Sequence, residues 1–121
     1  MRPQNTAEVA SVLATVRNIG AKFAIRSTGH NPTTGWASID GTGVLLDLRD
    51  VNSLSLDEDG TLHAGGGATW GDVYTFLEER GRSVIGARNL DVGLGGYTLG
   101  GMSRLSTRLW RNPAYDRIGL G

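Results

Sequence analysis

The 121-residue chain contains no cysteine. That absence excludes a disulfide framework, a thiolate zinc site and a cysteine nucleophile together. Net charge is also missing: 12 basic and 12 acidic residues balance and are interspersed. No field of one sign is available to draw in DNA, RNA or an anionic lipid surface, so neither nucleic acid nor membrane is expected as a partner. No stretch approaches the roughly 20 apolar residues of a membrane span. Met1-Arg2-Pro3 leads into a helical pattern without the apolar core of a signal peptide, so a soluble product is expected, its compartment left open. His30 and His63 have no carboxylate at ligand spacing, which argues against a metal site. Ser27 and Ser103 lack the context of a nucleophile elbow.

Glycine, by contrast, is abundant, at 19 residues, and it sits in discrete turns between patterned segments. Two runs stand out. Arg26-Ser27-Thr28-Gly29-His30-Asn31-Pro32 directly follows a strand-like stretch, and Gly93-Leu94-Gly95-Gly96-Tyr97-Thr98-Leu99-Gly100-Gly101 follows further on. Loops with little side-chain bulk approach a phosphate-bearing ligand closely, because their N–H groups are free to face oxygen. His30 adds chemistry to that grip.

The periodicity predicts one α+β unit of two helices and about five strands. Asn5 and Glu8 read as a capping box ahead of Val9, Val12, Leu13, Val16 and Ile19 at helical spacing, with Gly20 as the stop. Lys22–Ser27 reads as a strand, Asn31–Gly43 as a folded-back loop and Val44–Leu48 as a buried strand. Leu54–Leu56 and Thr61–Ala64 flank Asp57-Glu58-Asp59-Gly60 as a hairpin, in which His63 faces outward. Thr69 and Asp72 cap a second helix carrying Trp70, Val73, Tyr74 and Leu77 and ending at Gly81. Ser83-Val84-Ile85 reads as a further strand. Beyond Met102 the pattern fails, and the tail offers no face to a core.

Taken singly, the motifs have ordinary readings. Gly93-Leu94-Gly95-Gly96-Tyr97-Thr98 begins like a dinucleotide fingerprint, yet Thr98 holds the third glycine position and no acidic residue follows at the required distance. A tight turn explains it equally well. No Lys-Ser or Lys-Thr follows a glycine run, so a Walker phosphate site is absent. A loop histidine is ordinarily a surface residue, the acidic trio at 57–59 a solvated turn, and Trp36 and Trp70 packing groups.

Taken in order, four segments resemble an FAD-binding domain of the PCMH type, the flavin module of the vanillyl-alcohol oxidase superfamily. The likeness is greatest to FAD-linked oxidases of the berberine-bridge-enzyme group. The segments are Arg2-Pro3 with Thr6-Ala7-Glu8-Val9; Phe23 to Asn31, which resembles the R-S-G-G-H loop; Gly65-Gly66-Gly67-Ala68-Thr69-Trp70-Gly71-Asp72-Val73-Tyr74, which resembles G-x-G-x-x-W-G-D-V-Y; and Asp91-Val92-Gly93-Leu94-Gly95-Gly96, which resembles the second flavin loop.

The resemblance implies that Arg26, Ser27, Thr28, Gly29, His30 and Asn31, with Asp91, Val92, Gly93, Gly95, Gly96, Thr98 and Gly100, hold FAD. It implies further that His30 matches the histidine that bonds covalently to the flavin in many members. The implied reaction is oxidation of a small molecule by the flavin with dioxygen as acceptor. Members with two covalent links carry a cysteine near the position of Asn89, so at most one link, through His30, is expected. Relatives of this kind are often secreted.

Members also continue into further flavin-domain and substrate-binding segments. The resemblance therefore implies a truncated domain over residues 1–102 with a divergent tail at 103–121, and a small-molecule substrate only where the missing domains are supplied. Two alternatives stay open: an inactive remnant or binding module keeping part of the flavin site, and a module that uses the same loops for another nucleotide.

Overall fold

The computed structural model describes residues 1–100 and 118–120. Helix α1 (Thr6–Asn18) begins where the side chain of Asn5 accepts a hydrogen bond from the Glu8 amide at 2.9 Å. Glu8 returns the bond one residue further back than expected, accepting from the Gln4 amide and the Asn5 side chain. Val16 is buried and Val9, Val12 and Leu13 are half-buried. Ile19, expected on the same face, is 68% exposed, because it is the C-cap and lies past the last full turn.

Strands β1 (Lys22–Arg26) and β2 (Gly43–Asp47) pair in parallel, Lys22 opposite Gly43 and Arg26 opposite Asp47. The Leu48 amide donates to the Arg26 carbonyl at 2.8 Å and prolongs the pairing. The N-terminus borders β2: its ammonium donates to the Leu45 carbonyl, and the Asp47 amide to the Met1 carbonyl. The connection through residues 27–42 contains no helix. Trp36 in that connection is 76% exposed, so it is not the packing group expected from the sequence.

Asp47 ends β2 with its side chain only 7% exposed. It is bound by Arg49, which lies two positions on in the turn that follows the strand. Arg49 Nε lies 2.9 Å from Oδ1 and Nη2 2.7 Å from Oδ2. The Arg49 hydrogen bond holds the Asp47 carboxyl below the usual carboxylate range, against the opposing effect of burial. Asp47 in turn raises the Arg49 guanidinium.

The hairpin forms as expected. β3 (Leu54–Leu56) and β4 (Leu62–Ala64) pair antiparallel, and Gly60 turns the chain at φ +88°, a value that L side chains resist. His63 points out and meets Asp57 at 2.9 Å, while Leu62 and Ala64 are buried. β5 (Ile118–Leu120) joins β4 in parallel, a strand that the sequence pattern gave no sign of. The 102/103 boundary and the rest of the tail lie outside the described residues.

Helix α2 (Trp70–Glu78) carries a complete capping box. The Thr69 hydroxyl accepts from the Asp72 amide, and the Asp72 carboxylate accepts from the Thr69 amide at 2.9 Å. Its inner stripe, Trp70, Val73 and Leu77, joins Leu62, Ala64, Ala87 and Leu94 in the core. Trp70 stacks edge-on to Tyr97 at 5.2 Å and lies tilted against Tyr74 at 5.7 Å.

Two further elements differ from the sequence reading. No strand forms at 83–85; that stretch is held by side chains, with Val84 and Ala87 on the core and the Tyr74 hydroxyl donating to the Ala87 carbonyl. The second glycine run is a loop only as far as Gly93, after which Leu94–Leu99 forms helix α3. Burial of Leu94 and the ring contact of Tyr97 offset the roughly 1 kcal/mol that each helical glycine costs relative to alanine.

Gly86 passes so close to the indole that a Cβ there would overlap the Trp70 ring. Gly86→Ala is expected to cost about 1–3 kcal/mol through overpacking, read as a lower urea midpoint at unchanged slope; an unchanged midpoint would contradict this packing.

Folding lowers the Asp47 pKa, so the pair's contribution is fully present above the unfolded-state value, about 4. It is lost as pH falls through the lower folded value. Asp47→Asn is expected to cost about 2 kcal/mol at pH 7, and the gap between variant and parent should narrow in denaturation curves below about pH 4. A gap that is constant down to acid would contradict it.

Candidate functional site

Three backbone segments converge beyond the end of β1. The first is Ser27–Asn31, turned at Gly29 with φ +83°. Arg26 supports this turn from within: its Nε donates to the Ala37 carbonyl at 2.7 Å, and its stem lies 3.2 Å from where a Gly29 Cβ would stand. The second segment, Gly65–Thr69, runs from β4 to the cap of α2. The third, Asp91–Gly95, leads into α3.

Direct contacts bind these segments together. The Ser27 hydroxyl donates to the Gly66 carbonyl at 2.6 Å. Gly93 lies against the Ser27 and Thr28 hydroxyls, and Gly95 against the Gly66 carbonyl, so that a Cβ at either position would collide. The Trp70 amide donates to Val92, the Gly71 amide to Leu90 and the Leu94 amide to Ala68, at 2.8–3.0 Å. On the other side the Gly65 and Gly67 amides donate to Ser53 and Val51, and a Cβ at Gly67 would overlap the Leu48 carbonyl. These glycines allow backbone to lie on backbone.

The convergence encloses an open cavity of about 500 Å³ lined by Thr28, Gly29, His30, Arg49, Asn52, Gly67, Thr69, Asp72 and Asp91. His30 Nδ1 stands 3.3 Å from Asp91 Oδ2, both side chains solvent-accessible. Nδ1, and not Nε2, is the ring nitrogen that faces the carboxylate. Of the two other charged groups on the wall among the described residues, Asp72 is committed to the α2 cap and Arg49 is paired with Asp47.

The residues singled out from sequence separate into two sets. Thr28, Gly29, His30 and Asp91 line the cavity, and Ser27, Gly93 and Gly95 brace it. Arg26 shapes the first loop. Asn31 Oδ1 accepts from the Thr33 amide, Val92 accepts from Trp70, the Thr98 hydroxyl donates back to the Leu94 carbonyl, and the Gly100 amide caps α3 by donating to Gly96. Gly96 borders open space. Sequence reasoning missed Arg49, Asn52, Gly67, Thr69 and Asp72 as lining residues. The signal for the last three was the Gly65–Tyr74 motif itself; for Arg49 it was an acid and a base two apart at a strand end.

Beside the Asp72 and Asp91 carboxylates, the lining offers an arginine, two threonines, a histidine and glycine-rich backbone, donors that suit a phosphate-bearing group. Among the described residues no group of His, Cys, Asp and Glu is placed to hold a metal ion, and no helix is long and apolar enough to cross a membrane.

Comparison with known proteins agrees with this chemistry. The FAD-dependent monooxygenase macF of Penicillium terrestre is 41% identical over 106 residues, which cover 87% of this chain and 20% of that protein. Among solved structures, 6-hydroxy-D-nicotine oxidase from Arthrobacter nicotinovorans matches with a TM-score of 0.68 and 33% identity over 76% of this chain and 20% of its own. Glucooligosaccharide oxidase from Acremonium strictum, described with a 6-S-cysteinyl, 8α-N1-histidyl FAD, matches in fold with a TM-score of 0.68 at 24% identity, over 82% of this chain and 21% of its own. The chain thus spans about a fifth of the length of these relatives. The FAD binding domain family matches residues 1–112, and with the four ordered motifs and the shared fold this means that the chain belongs to that family, the FAD-binding domain of FAD-linked oxidoreductases.

Proposed function

We propose that this chain supplies the diphosphate-gripping part of an FAD-dependent oxidoreductase that oxidises a small organic molecule and passes the electrons to dioxygen. The observation that carries the reading is the convergence of Thr28–His30, Gly67–Thr69 and Asp91 on one cavity. When bound, FAD supplies the two-electron redox chemistry, and the protein supplies grip and orientation. The monooxygenase relatives and the oxidase neighbours both support a dioxygen acceptor.

The chain's own residues divide the work. Thr28, Gly29 and Gly67 present hydroxyl and backbone groups to the ligand. Ser27, through its bond to Gly66, holds the first loop against the second. His30 is the residue that would tether the flavin, with Asp91 beside its Nδ1. Asn89 stands where a second tether would need cysteine, so the link expected is single.

The test is the visible spectrum of the purified 121-residue protein after incubation with FAD, before and after acid precipitation. Flavin absorbance that accompanies the protein is expected. His30→Ala is expected to keep reversible binding and lose any acid-stable colour. A protein that stays colourless contradicts flavin binding, and acid-stable flavin persisting in His30→Ala contradicts the tether.

A further inference from the structure

Among the described residues, Arg49 is the one lysine or arginine that lines the cavity. Its guanidinium has five N–H donors in a fixed plane. Asp47 occupies the Nε and Nη2 edge through contacts of 2.9 and 2.7 Å. Among the described residues, both N–H groups of Nη1 and the second of Nη2 have no hydrogen-bond partner. The anchor is buried, with 7% of the Asp47 side chain exposed, whereas 51% of the Arg49 side chain is exposed. The fork is thus clamped from the protein side and open on the other.

The backbone fixes the same arrangement. The Arg49 amide also donates to Asp47 Oδ1, and Leu48 between them is pinned by its amide to Arg26 and by the close approach of Gly67 to its carbonyl. Arg49 therefore cannot swing freely on its stem as a surface arginine does, and less rotamer entropy is lost when it meets a ligand. The other charged groups on the wall cannot take its place. Asp72 and Asp91 are carboxylates, and His30 faces Asp91.

We infer that Arg49 is a ligand-binding residue that donates to phosphate oxygens of a nucleoside diphosphate group, and that Asp47 is a positioning residue that aims it. The inference rests on the flavin reading and adds the residue that recognises the anionic part of the ligand. It separates two portions of the ligand. Arg49 contributes to binding of compounds that carry the diphosphate and contributes nothing to the flavin ring alone.

Fluorescence titration of the 121-residue protein with FAD, with riboflavin, and with ADP as a competitor tests this. Arg49→Gln is expected to raise the Kd for FAD about 10- to 100-fold, the range for a hydrogen bond to a charged group, and to weaken ADP competition similarly, with riboflavin affinity unchanged. Asp47→Asn should give a smaller loss with the same selectivity for diphosphate compounds. Arg49→Lys, which keeps charge but not the fork, should fall between parent and Arg49→Gln; it decides the matter if Arg49→Gln fails to fold. Equal loss for riboflavin and FAD, or an FAD Kd within twofold of the parent in folded variants, overturns the inference and leaves the flavin reading intact. Failure of the unaltered protein to bind FAD overturns both.

Discussion

The close approach of backbone to backbone at Gly65–Gly67 is the constraint on which the rest of the site depends. Gly65 and Gly67 lie against the 48–53 turn through two hydrogen bonds donated by their amides, and the Gly66 carbonyl accepts from the Ser27 hydroxyl while Gly95 packs on it. Three segments far apart in sequence thus share one short stretch of main chain. No residue with a side chain fits at Gly65 or Gly67 without moving the carbonyl opposite. The lost glycine entropy, roughly 0.5–1 kcal/mol relative to alanine at such positions, is offset by contacts that no larger residue permits.

The cradle and the core are one construction. Thr69 closes the cavity wall and caps α2; the next residue, Trp70, is the largest fully buried side chain among the described residues. The amide of Trp70 holds Val92, and its ring holds Tyr97. The segment carrying Asp91 and Gly93 is therefore fixed by both a main-chain bond and an aromatic contact. Packing around Trp70 is what sets the distance between the second and third segments. On the opposite wall, β2 delivers Asp47 and Arg49 with the same economy, since one turn fixes both the ion pair and the seat for Gly67.

Much of this was legible in the residues. Asn5, Thr69 and Asp72 announced their caps because capping chemistry is local, and Asp57–Gly60 announced the hairpin turn for the same reason. The α+β class followed from the periodicity of helices and strands, and the family from four motifs in order. Ser83–Ile85 read as a strand, but strand formation needs a partner, and pairing cannot be read from the run itself. The 94–99 helix was hidden by its glycines, whose poor helix propensity is overridden by burial of Leu94. Ile118–Leu120 gave no periodic signal, and its place beside β4 is a long-range pairing. Thr98 and Gly100 belong to the loop motif, yet their polar groups serve α3, which only the helix reveals. The Arg49 wall was missed because a charged pair after a strand ordinarily means a solvated turn; burial of Asp47 distinguishes it.

The central claim is that the three glycine-bearing segments form one ligand cradle. An amide-resolved NMR titration of the 121-residue protein with FAD tests it most directly. The largest shifts are expected to fall together on Gly29, His30, Gly67, Thr69 and Asp91, with the β3–β4 turn at 57–60 unaffected. Shifts confined to one segment, or centred on the exposed hairpin, would contradict it.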